Sequence, residues 1–405
     1  MMSTQSPAPE LDFQIPAGFR WAGVAAAIKK PGKRDIGLMV ADQPCPVAGV
    51  FTRNAFAAAP VLLCRRMLAE SGGLSRGVVV NSGCANAATG PQGEANARAM
   101  AVEAAESSNH PLLVCSTGTI GVQLPMDRIR KGLAEARAGL SPSREGFLDF
   151  AHAILTTDTR EKIAWQTVNA EGRSARILGC AKGSGMMFPR MATMLSFVAT
   201  DVEIDPASLD AVFRRAIDRS LNCLTVDGDT STNDTALIFA SGASRLRVEP
   251  GTAVFDAFEQ ALLRVLQSLA RQLARDGEGA TKLIEIEVAG AADFETARAI
   301  ALQIANSNLV KTAIYGRDAN WGRICSAAGN APVPVDPAQV VVRLGNLTLF
   351  RLGAPLDLDE QAALAVLSQE VVRIEVEVGS GAGRATVWTC DLTEKYIEIN
   401  GAYRT

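Results

Sequence analysis

Histidine is almost absent from this chain of 405 residues, which contains only His110 and His152. Neither lies in a nucleophile motif, and the chain has no G-x-S-x-G elbow at which a Ser-His-Asp relay could be assembled. An acyl-transfer enzyme built on this sequence is therefore expected to use a base other than histidine.

An excess of positive charge and a long apolar run are also missing. The net charge is −3 and 20% of the residues are charged, so there is no electrostatic reason to expect nucleic acid or an anionic membrane surface as a partner. No stretch approaches the ~18–20 apolar residues of a membrane span. The first residues, MMSTQSPAPELDFQIPAG, lack the charged and apolar regions of a secretory signal. We expect a cytoplasmic protein with no membrane partner.

C-x-x-C pairs are absent as well, although the chain has eight cysteines. They are scattered beside apolar or small residues, as in LLVCSTG and WTCDL, which is typical of reduced thiols in a core. The sequence therefore predicts neither a disulfide framework nor a zinc site, and no bound metal.

Short strand-like runs alternate with glycine-rich turns and helices along most of the chain. Residues 1–15, rich in Pro, Ser and Gln, are predicted to be a disordered lead-in. Asp205 and Pro206 predict the start of an amphipathic helix, and LIEIEVAG alternates as a half-exposed strand does. VVRIEVEVGSGAGRATVWTCDLT predicts a hairpin with a glycine-rich turn. These patterns indicate an α+β protein in which helices cover sheets, with one weak break near 190–205.

Two glycine clusters, KGSG and GEGATK, each contain a lysine. Neither fits the phosphate-binding G-x-x-x-x-G-K-[ST] pattern, so a nucleotide P-loop is excluded. What remains are tight turns suited to a carboxylate or an oxyanion. The Thr-Gly step in STGTIG (Ser116–Gly121) can place a hydroxyl beside a backbone N–H, the pair that an oxyanion hole needs. An ordinary turn is the alternative.

Thr193 lies in KGSGMMFPRMATMLSFVATD (Lys182–Asp201) and is a candidate nucleophile. A threonine hydroxyl needs a base, and an N-terminal threonine supplies its own α-amine without any histidine. That amine becomes free only if the Ala192–Thr193 bond is cut, for which an N→O acyl shift by the same hydroxyl is a route. A buried threonine with a structural role is the alternative.

The last residues, YIEINGAYRT (Tyr396–Thr405), are unlike a frayed terminus because apolar residues alternate before an Asn-Gly turn. They predict either an ordinary last strand or a terminus docked near a site. YGRDANWGRI (Tyr315–Ile324) has similar residue types and is interpreted as a packed loop anchored by Trp321 or as a segment beside the site.

Eight segments carry a resemblance to a known family: NSGCANAATG, STGTIG, TTDT, KGSGMMFPRMATMLSF, TVDGDTSTNDT, GEGATK, GRDANWGRI and EINGAYRT. In this order they resemble the ornithine acetyltransferase family, the glutamate N-acetyltransferases of the cyclic arginine pathway. They cover essentially the whole chain beyond the first ~15 residues, as a single-family match should.

The resemblance implies that the precursor cleaves itself between Ala192 and Thr193. The products would be an α chain, 16–192, and a β chain, 193–405, which stay associated. Thr193 would then attack the acetyl group of N-acetyl-L-ornithine, release ornithine and pass the acetyl group to L-glutamate by a ping-pong mechanism. Some members of the family also use acetyl-CoA as acetyl donor, and its use here stays open. No resident cofactor is implied.

The family positions imply the remaining site residues as well. Thr117 and Gly118 fall on the oxyanion hole. Lys182 would pair with a substrate carboxylate, and Glu278 with a substrate ammonium or the threonine amine. The substrate-contacting positions are one of Thr156 and Thr157, between which the sequence does not decide, together with Lys182, Thr193, Glu278, Asn400 and Thr405.

The implied fold is an αββα sandwich that resembles the N-terminal-nucleophile hydrolases but differs from them in topology. The implied assembly is a heterotetramer of two α and two β chains. Phe188 and Arg190 depart from the family pattern, since smaller or more variable residues are expected there. They precede the scissile bond and leave it intact, so they bear only on the rate of cleavage.

Two other functions are alternatives. A self-processing aminopeptidase or amidase would use Thr193 in the same way but pass the acyl group to water; Lys182 and the NGAYRT tail favour the transferase. A non-catalytic binding protein would keep the pocket and lose the nucleophile, whereas this chain retains Thr193 and the Thr117–Gly118 pair.

Overall fold

A computed structural model describes residues 12–105, 111–188 and 194–402. Within them the strands are β1 (Phe19–Val24), β2 (Ile36–Phe51), β3 (Leu74–Cys84), β4 (Leu113–Thr119), β5 (Lys162–Ala170), β6 (Arg173–Lys182), β7 (Leu195–Thr200), β8 (Thr235–Ala240), β9 (Leu283–Ala291), β10 (Val341–Leu344), β11 (Leu347–Arg351), β12 (Ala354–Pro355), β13 (Val371–Glu377) and β14 (Gly383–Cys390). The helices are α1 (Ala59–Glu70), α2 (Gly90–Ala104), α3 (Met126–Ala138), α4 (Arg144–Ala153), α5 (Pro206–Asp218), α6 (Ala253–Arg275), α7 (Phe294–Ala305), α8 (Asn308–Tyr315), α9 (Trp321–Gly329), α10 (Glu360–Leu367) and α11 (Glu394–Ala402).

The first sheet runs in the order β4-β3-β2-β8-β7-β6-β5, and β1 pairs with the first part of β2. Its inner strands β7 and β8 are parallel to each other, and every residue in both is buried. Continuous apolar runs such as LSFVAT and TALIFA are typical of strands covered on both faces. Strands β7 and β8 belong to the second half of the chain but lie between β2 and β6, so the two halves share one sheet.

Helices cover this sheet on both faces. Neighbouring residues of β7 show this, since Phe197 packs in the core that includes α4 whereas Val198 packs in the core that includes α5 and α6. Helix α5 begins as predicted, because the Asp205 carboxylate accepts a hydrogen bond of 3.0 Å from the Ser208 amide and Pro206 is the first helical residue.

The second sheet runs in the order β12-β11-β10-β13-β9-β14. Strand β9 alternates as predicted: Ile284, Ile286 and Val288 are buried, whereas Glu285 and Glu287 are half-buried on the opposite face. Helix α7 packs against β9 and β14, and the long helix α6 contacts strands of both sheets. Helices α1–α4 contact one face of the first sheet and α5 and α6 the other, while α6 and α7 contact β9 and β14 of the second sheet, so helices cover both sheets and the predicted α+β class is confirmed.

The predicted hairpin between β13 and β14 is wrong. Both strands form, but β9 lies between them, parallel to β13 and antiparallel to β14. Their glycine-rich connection crosses the end of β9, where the Gly381 amide donates to the Gly290 carbonyl at 2.9 Å. A Cβ added at Gly381 would lie 2.0 Å from the Ala291 carbonyl oxygen. Glycine is therefore needed here so that the connection can pass close to the backbone of β9, and not to form a tight turn.

Of the two interpretations of the tail, the last strand is wrong, because residues 394–402 form helix α11. The Thr393 hydroxyl accepts a hydrogen bond of 3.2 Å from the Lys395 amide and so starts the helix. The helix has no fully buried residue, and Ile397 is exposed. Because residues 394–402 are helical, their apolar side chains do not pack beside a neighbouring strand of a sheet.

An aromatic cluster fills the core between α4, β1 and β7. The Phe150 ring lies 5.2 Å from Trp21 and 5.3 Å from Phe197, in both cases edge to face. Phe13 extends the cluster through Phe147, at 5.3 Å, and is buried although it falls in the segment predicted to be a lead-in. These rings connect the start of the described chain to the centre of the first sheet.

None of the helices in the described residues combines the length and the apolar character needed to cross a bilayer. All eight cysteines are free, and seven of them are buried.

Replacing Phe150 with alanine is expected to lower the free energy of unfolding by about 3–5 kcal/mol, because it opens a cavity among packed rings. Phe56→Ala is the matched control: Phe56 is 74% exposed whereas Phe150 is 0% exposed, so the control should stay close to wild type. Urea denaturation of both variants measures the difference. Equal losses in the two variants would contradict this account of the core.

Candidate functional site

The site forms where β4 and β6 meet. Five strand-to-strand steps separate these strands in the first sheet, which would place them about 24 Å apart in a flat sheet. Instead the ammonium of Lys182, at the end of β6, donates a hydrogen bond of 2.9 Å to the hydroxyl of Thr117 in β4. The sheet therefore curves strongly, and the curve brings two predicted site residues into direct contact.

Thr117 and Gly118, the predicted oxyanion-hole residues, lie side by side near the end of β4. An ammonium group can only donate, so the Lys182 contact uses a lone pair of the Thr117 hydroxyl and leaves its proton available for another acceptor. Gly118 has a φ of +128°, and a Cβ there would lie 2.3 Å from the carbonyl carbon of Gly83. Only glycine fits this close approach of β3 and β4.

Lys182 is a buried cation surrounded by carboxylates. Burial lowers the pKa of its ammonium, and the negative charges of Asp158, Asp234 and Glu278 oppose that shift. Burial alone would raise the pKa of Asp158, but Lys162 and Lys182 outweigh it and hold this pKa below its usual value. Asp158 is therefore a fixed negative charge beside the site.

The KGSG turn, which begins at Lys182, contacts two other predicted residues, Thr157 and Glu278. The Thr157 hydroxyl lies 2.6 Å from the Ser184 hydroxyl, and the Glu278 amide donates to the Ser184 carbonyl at 2.8 Å. A Cβ at Gly185 would lie 2.3 Å from a carboxylate oxygen of Glu278, so that carboxylate rests directly on the turn.

Asn400 and Thr156 complete the described part of the predicted site. The Asn400 amide of α11 donates to the Glu278 carboxylate at 2.9 Å, so the tail is docked at the site. The Thr156 backbone amide donates to Asp158 at 3.0 Å, whereas it is the hydroxyl of Thr157 that contacts the turn.

Three predicted residues, Ala192, Thr193 and Thr405, lie outside the described residues, as does His110. The described chain ends at Phe188 before this gap and resumes at Met194. Leu195, the first residue of β7, pairs with Lys182 on one side and with Thr235 on the other. His152 is at the end of α4, where its ring lies 3.6 Å from the Glu161 carboxylate.

Two residues that the sequence reasoning did not single out, Asp227 and Asn233, hold the site segments together. Asp227 accepts hydrogen bonds from the amides of Met186, at 2.6 Å, and Met187, at 2.8 Å. The Asn233 amide donates to the carbonyls of Ala85, at 2.7 Å, and Ser116, at 2.9 Å. The sequence feature that could have pointed to these two residues is the high density of Asp and Asn in TVDGDTSTNDT. Above, this segment served only for its family resemblance.

Asp234 is the most perturbed carboxyl of the site. It is 2% exposed, and neither of its carboxyl oxygens has a hydrogen-bond partner within the described residues. Burial raises its pKa well above the usual value, and the nearby Met194 backbone, Lys182 and Thr52 offset this only in part. A carboxyl group with a raised pKa therefore lies near the buried Lys182 ammonium, directly before β8.

No group of three or more His, Cys, Asp or Glu residues in 12–105, 111–188 and 194–402 is arranged to hold a metal ion. The polar groups that converge on the KGSG turn are instead an ammonium, hydroxyls, an amide and a carboxylate. This set can bind both charges of an amino acid and stabilise an oxyanion.

Known proteins are similar in sequence to this chain over nearly its whole length. The profile of the ArgJ family matches residues 20–405. The arginine biosynthesis bifunctional protein ArgJ of Symbiobacterium thermophilum is 50% identical over 396 residues, which are 96% of this chain and 98% of that protein. The protein of the same name from Thermotoga neapolitana is 45% identical over 399 residues, covering 96% of this chain and 100% of that protein.

A solved structure is similar as well. The crystal structure of the arginine biosynthesis bifunctional protein of Bacillus halodurans is 43% identical, with a TM-score of 0.51. The match covers 52% of this chain and 100% of that chain.

Replacing Asp234 with asparagine is expected to change how stability depends on pH. The raised pKa means that the folded protein keeps a proton which the unfolded chain has released, so the contribution of Asp234 to the free energy of unfolding falls as pH rises above 3.8. Asparagine cannot titrate and removes this loss.

Denaturant unfolding at about pH 5 and about pH 8 tests this prediction. The variant should gain stability relative to wild type at the higher pH, by at most about 1.4 kcal/mol per pH unit. A difference between variant and wild type that is the same at both pH values would contradict a raised pKa for Asp234.

Proposed function

Because this chain belongs to the ArgJ family, we propose that it transfers the acetyl group of N-acetyl-L-ornithine to L-glutamate in arginine biosynthesis. The family expected from the sequence motifs is confirmed, and its relatives are named bifunctional arginine biosynthesis proteins. The observation that carries the proposal is that Lys182 begins the short KGSG turn on which the Glu278 carboxylate rests.

Lys182 matches a group that the two substrates share, because N-acetylornithine and glutamate both carry an α-carboxylate. The buried Lys182 ammonium pairs with that carboxylate, and the Glu278 carboxylate pairs with a substrate ammonium or with the Thr193 amine. One pocket can therefore accept the acetyl donor and then the acetyl acceptor.

The chemistry proposed is acyl transfer through Thr193. Its hydroxyl attacks the acetyl carbonyl, its own α-amine accepts the proton, and the Thr117 hydroxyl with the Gly118 amide stabilises the oxyanion. Collapse of the tetrahedral intermediate releases ornithine, which takes up the proton. Glutamate then attacks the acetyl ester and regenerates the threonine hydroxyl.

A free α-amine requires cleavage of the Ala192–Thr193 bond, and the fold supports an enzyme that survives this cut. Strands β7 and β8 lie between β2 and β6, so the fragments 16–192 and 193–405 would be joined by strand ladders on both sides. The chain of the Bacillus halodurans structure, which matches over its full length, spans 52% of this chain, the size of one such fragment. We take the assembly to be a heterotetramer of two α and two β chains.

The name bifunctional, carried by the relatives, supports a second reaction in which acetyl-CoA acetylates glutamate at the same site. Acetyl-CoA is then a substrate, and the proposal includes no resident cofactor. The cytoplasm is the proposed location, in keeping with the eight free cysteines.

Purified protein is expected to give two fragments on a denaturing gel, with masses that end at Ala192 and begin at Thr193. The two should elute together under native conditions because of the shared sheet. Thr193→Ala should stay whole, whereas Thr193→Ser keeps a hydroxyl and should still be cut. An uncut wild-type chain would exclude the free-amine mechanism.

Acetyl transfer itself is measured by incubating N-acetylornithine with isotope-labelled glutamate. Labelled N-acetylglutamate should form, and release of ornithine should depend on glutamate. Release of acetate at the same rate without glutamate would favour the alternative, an aminopeptidase or amidase.

Gly118→Ala is expected to lower kcat by about 10²–10³, because a Cβ forces the oxyanion-hole backbone away from Gly83. Gly121→Ala is the control. Gly121 also has a positive φ, of +79°, but a Cβ there meets nothing within 4 Å, so it should cost only about 1 kcal/mol of stability. Equal kcat values for the two variants would remove Gly118 from the oxyanion hole.

A further inference from the structure

Lys162, the first residue of β5, is a buried cation to which the proposed reaction assigns no role. Its ammonium pairs with the carboxylates of Asp158 and Asp276, the latter at 2.5 Å. The exposed fractions of the three side chains are 0% for Lys162, 0% for Asp158 and 3% for Asp276. We call these three residues the Lys162 cluster; at its edge the exposed guanidinium of Arg160 lies 3.7 Å from Asp276.

Each carboxylate of the Lys162 cluster also accepts hydrogen bonds from backbone amides. Asp158 accepts hydrogen bonds from the amides of Thr156, at 3.0 Å, and Gly183, at 2.7 Å. Asp276 accepts from the amide of Thr159, at 3.0 Å, and from its hydroxyl. The cluster therefore ties together the loop 156–159, the end of β6 and the end of α6.

These three segments carry the proposed substrate contacts. Thr157 directly precedes Asp158, and Lys182 directly precedes Gly183. Glu278 is two residues beyond Asp276. A movement of either carboxylate therefore shifts a substrate-binding side chain, since one or two residues of backbone leave little slack.

Stability alone does not account for the Lys162 cluster. Removing three charged groups from water is costly, and well-packed apolar side chains often stabilise a core equally well or better. What apolar side chains cannot supply is a set of directional bonds to three backbone amides. The cluster is therefore suited to fixing geometry.

We propose that Lys162 is a positioning residue that sets the separation of Lys182 and Glu278, and so the fit of the substrate α-carboxylate at Lys182 and of the amine at Glu278. This inference rests on the function proposed above. It deepens that proposal by naming the residue that fixes the distance between Lys182 and Glu278. This role is distinct from the chemistry at the acetyl group.

The test compares steady-state kinetics of Lys162→Met with those of wild type. Loss of the ammonium should raise KM for both N-acetylornithine and glutamate about tenfold or more, with kcat changed less than about threefold, because binding geometry is lost while the oxyanion hole remains. Glu161→Gln is the control: Glu161 is the neighbouring residue but pairs with His152 at the surface, so its KM values should match wild type.

Lys162→Met leaves two buried carboxylates without their partner and risks unfolding. Lys162→Met/Asp276→Asn removes the charge of Asp276 as well and keeps an oxygen for Thr159. It should fold and still show the raised KM. Thr159→Val removes only the hydroxyl bond to Asp276 at an exposed position and should raise KM about threefold.

Three outcomes separate the claims. Wild-type protein without glutamate-dependent transfer would overturn the proposed function and this inference together. Active wild type with unchanged KM in the folded double variant overturns this inference alone. If both Lys162 variants are unfolded by thermal melting, an unchanged KM in Thr159→Val overturns it.

Discussion

Burial of the Lys182 ammonium is the constraint on which the site depends. A cation that is removed from water must be compensated, and here the Thr117 hydroxyl and three surrounding carboxyl groups supply the compensation. This requirement brings β4 and β6 together although they are distant in the sheet order. The curve of the first sheet and the burial of this charge therefore meet in the contact between Lys182 and Thr117.

The charges around Lys182 have different roles because their surroundings differ. Two lysines lower the pKa of Asp158, whereas burial without hydrogen-bond partners in the described chain raises the pKa of Asp234. Two carboxyl groups of the same chemical type near one ammonium thus have pKa values shifted in opposite directions. Such contrasts between like groups are common at catalytic sites.

Sequence patterns predicted the elements and the family, and motif resemblance named residues that the structure brings together at one turn: Thr157, Lys182, Glu278 and Asn400. The sequence could not predict which strands pair with each other. Alternation along VVRIEVEV shows which residues face the core, but it does not show that β9 lies between β13 and β14. Buried ions such as Lys162 were missed for a related reason: in a sequence, a charged residue is read as surface, and only the fold shows which charges are enclosed.

The position of β7 and β8 inside the first sheet has a consequence for the folding of the molecule. Pairs such as Val47 with Phe239 join residues that are far apart in sequence, and contacts of this kind form slowly. In one continuous chain they form by an intramolecular search. If the chain is cut at Ala192–Thr193 as proposed, the same pairs can form again only when two molecules meet, so recovery from unfolding becomes dependent on concentration. The mature enzyme would then persist through a slow rate of unfolding and not through a reversible equilibrium.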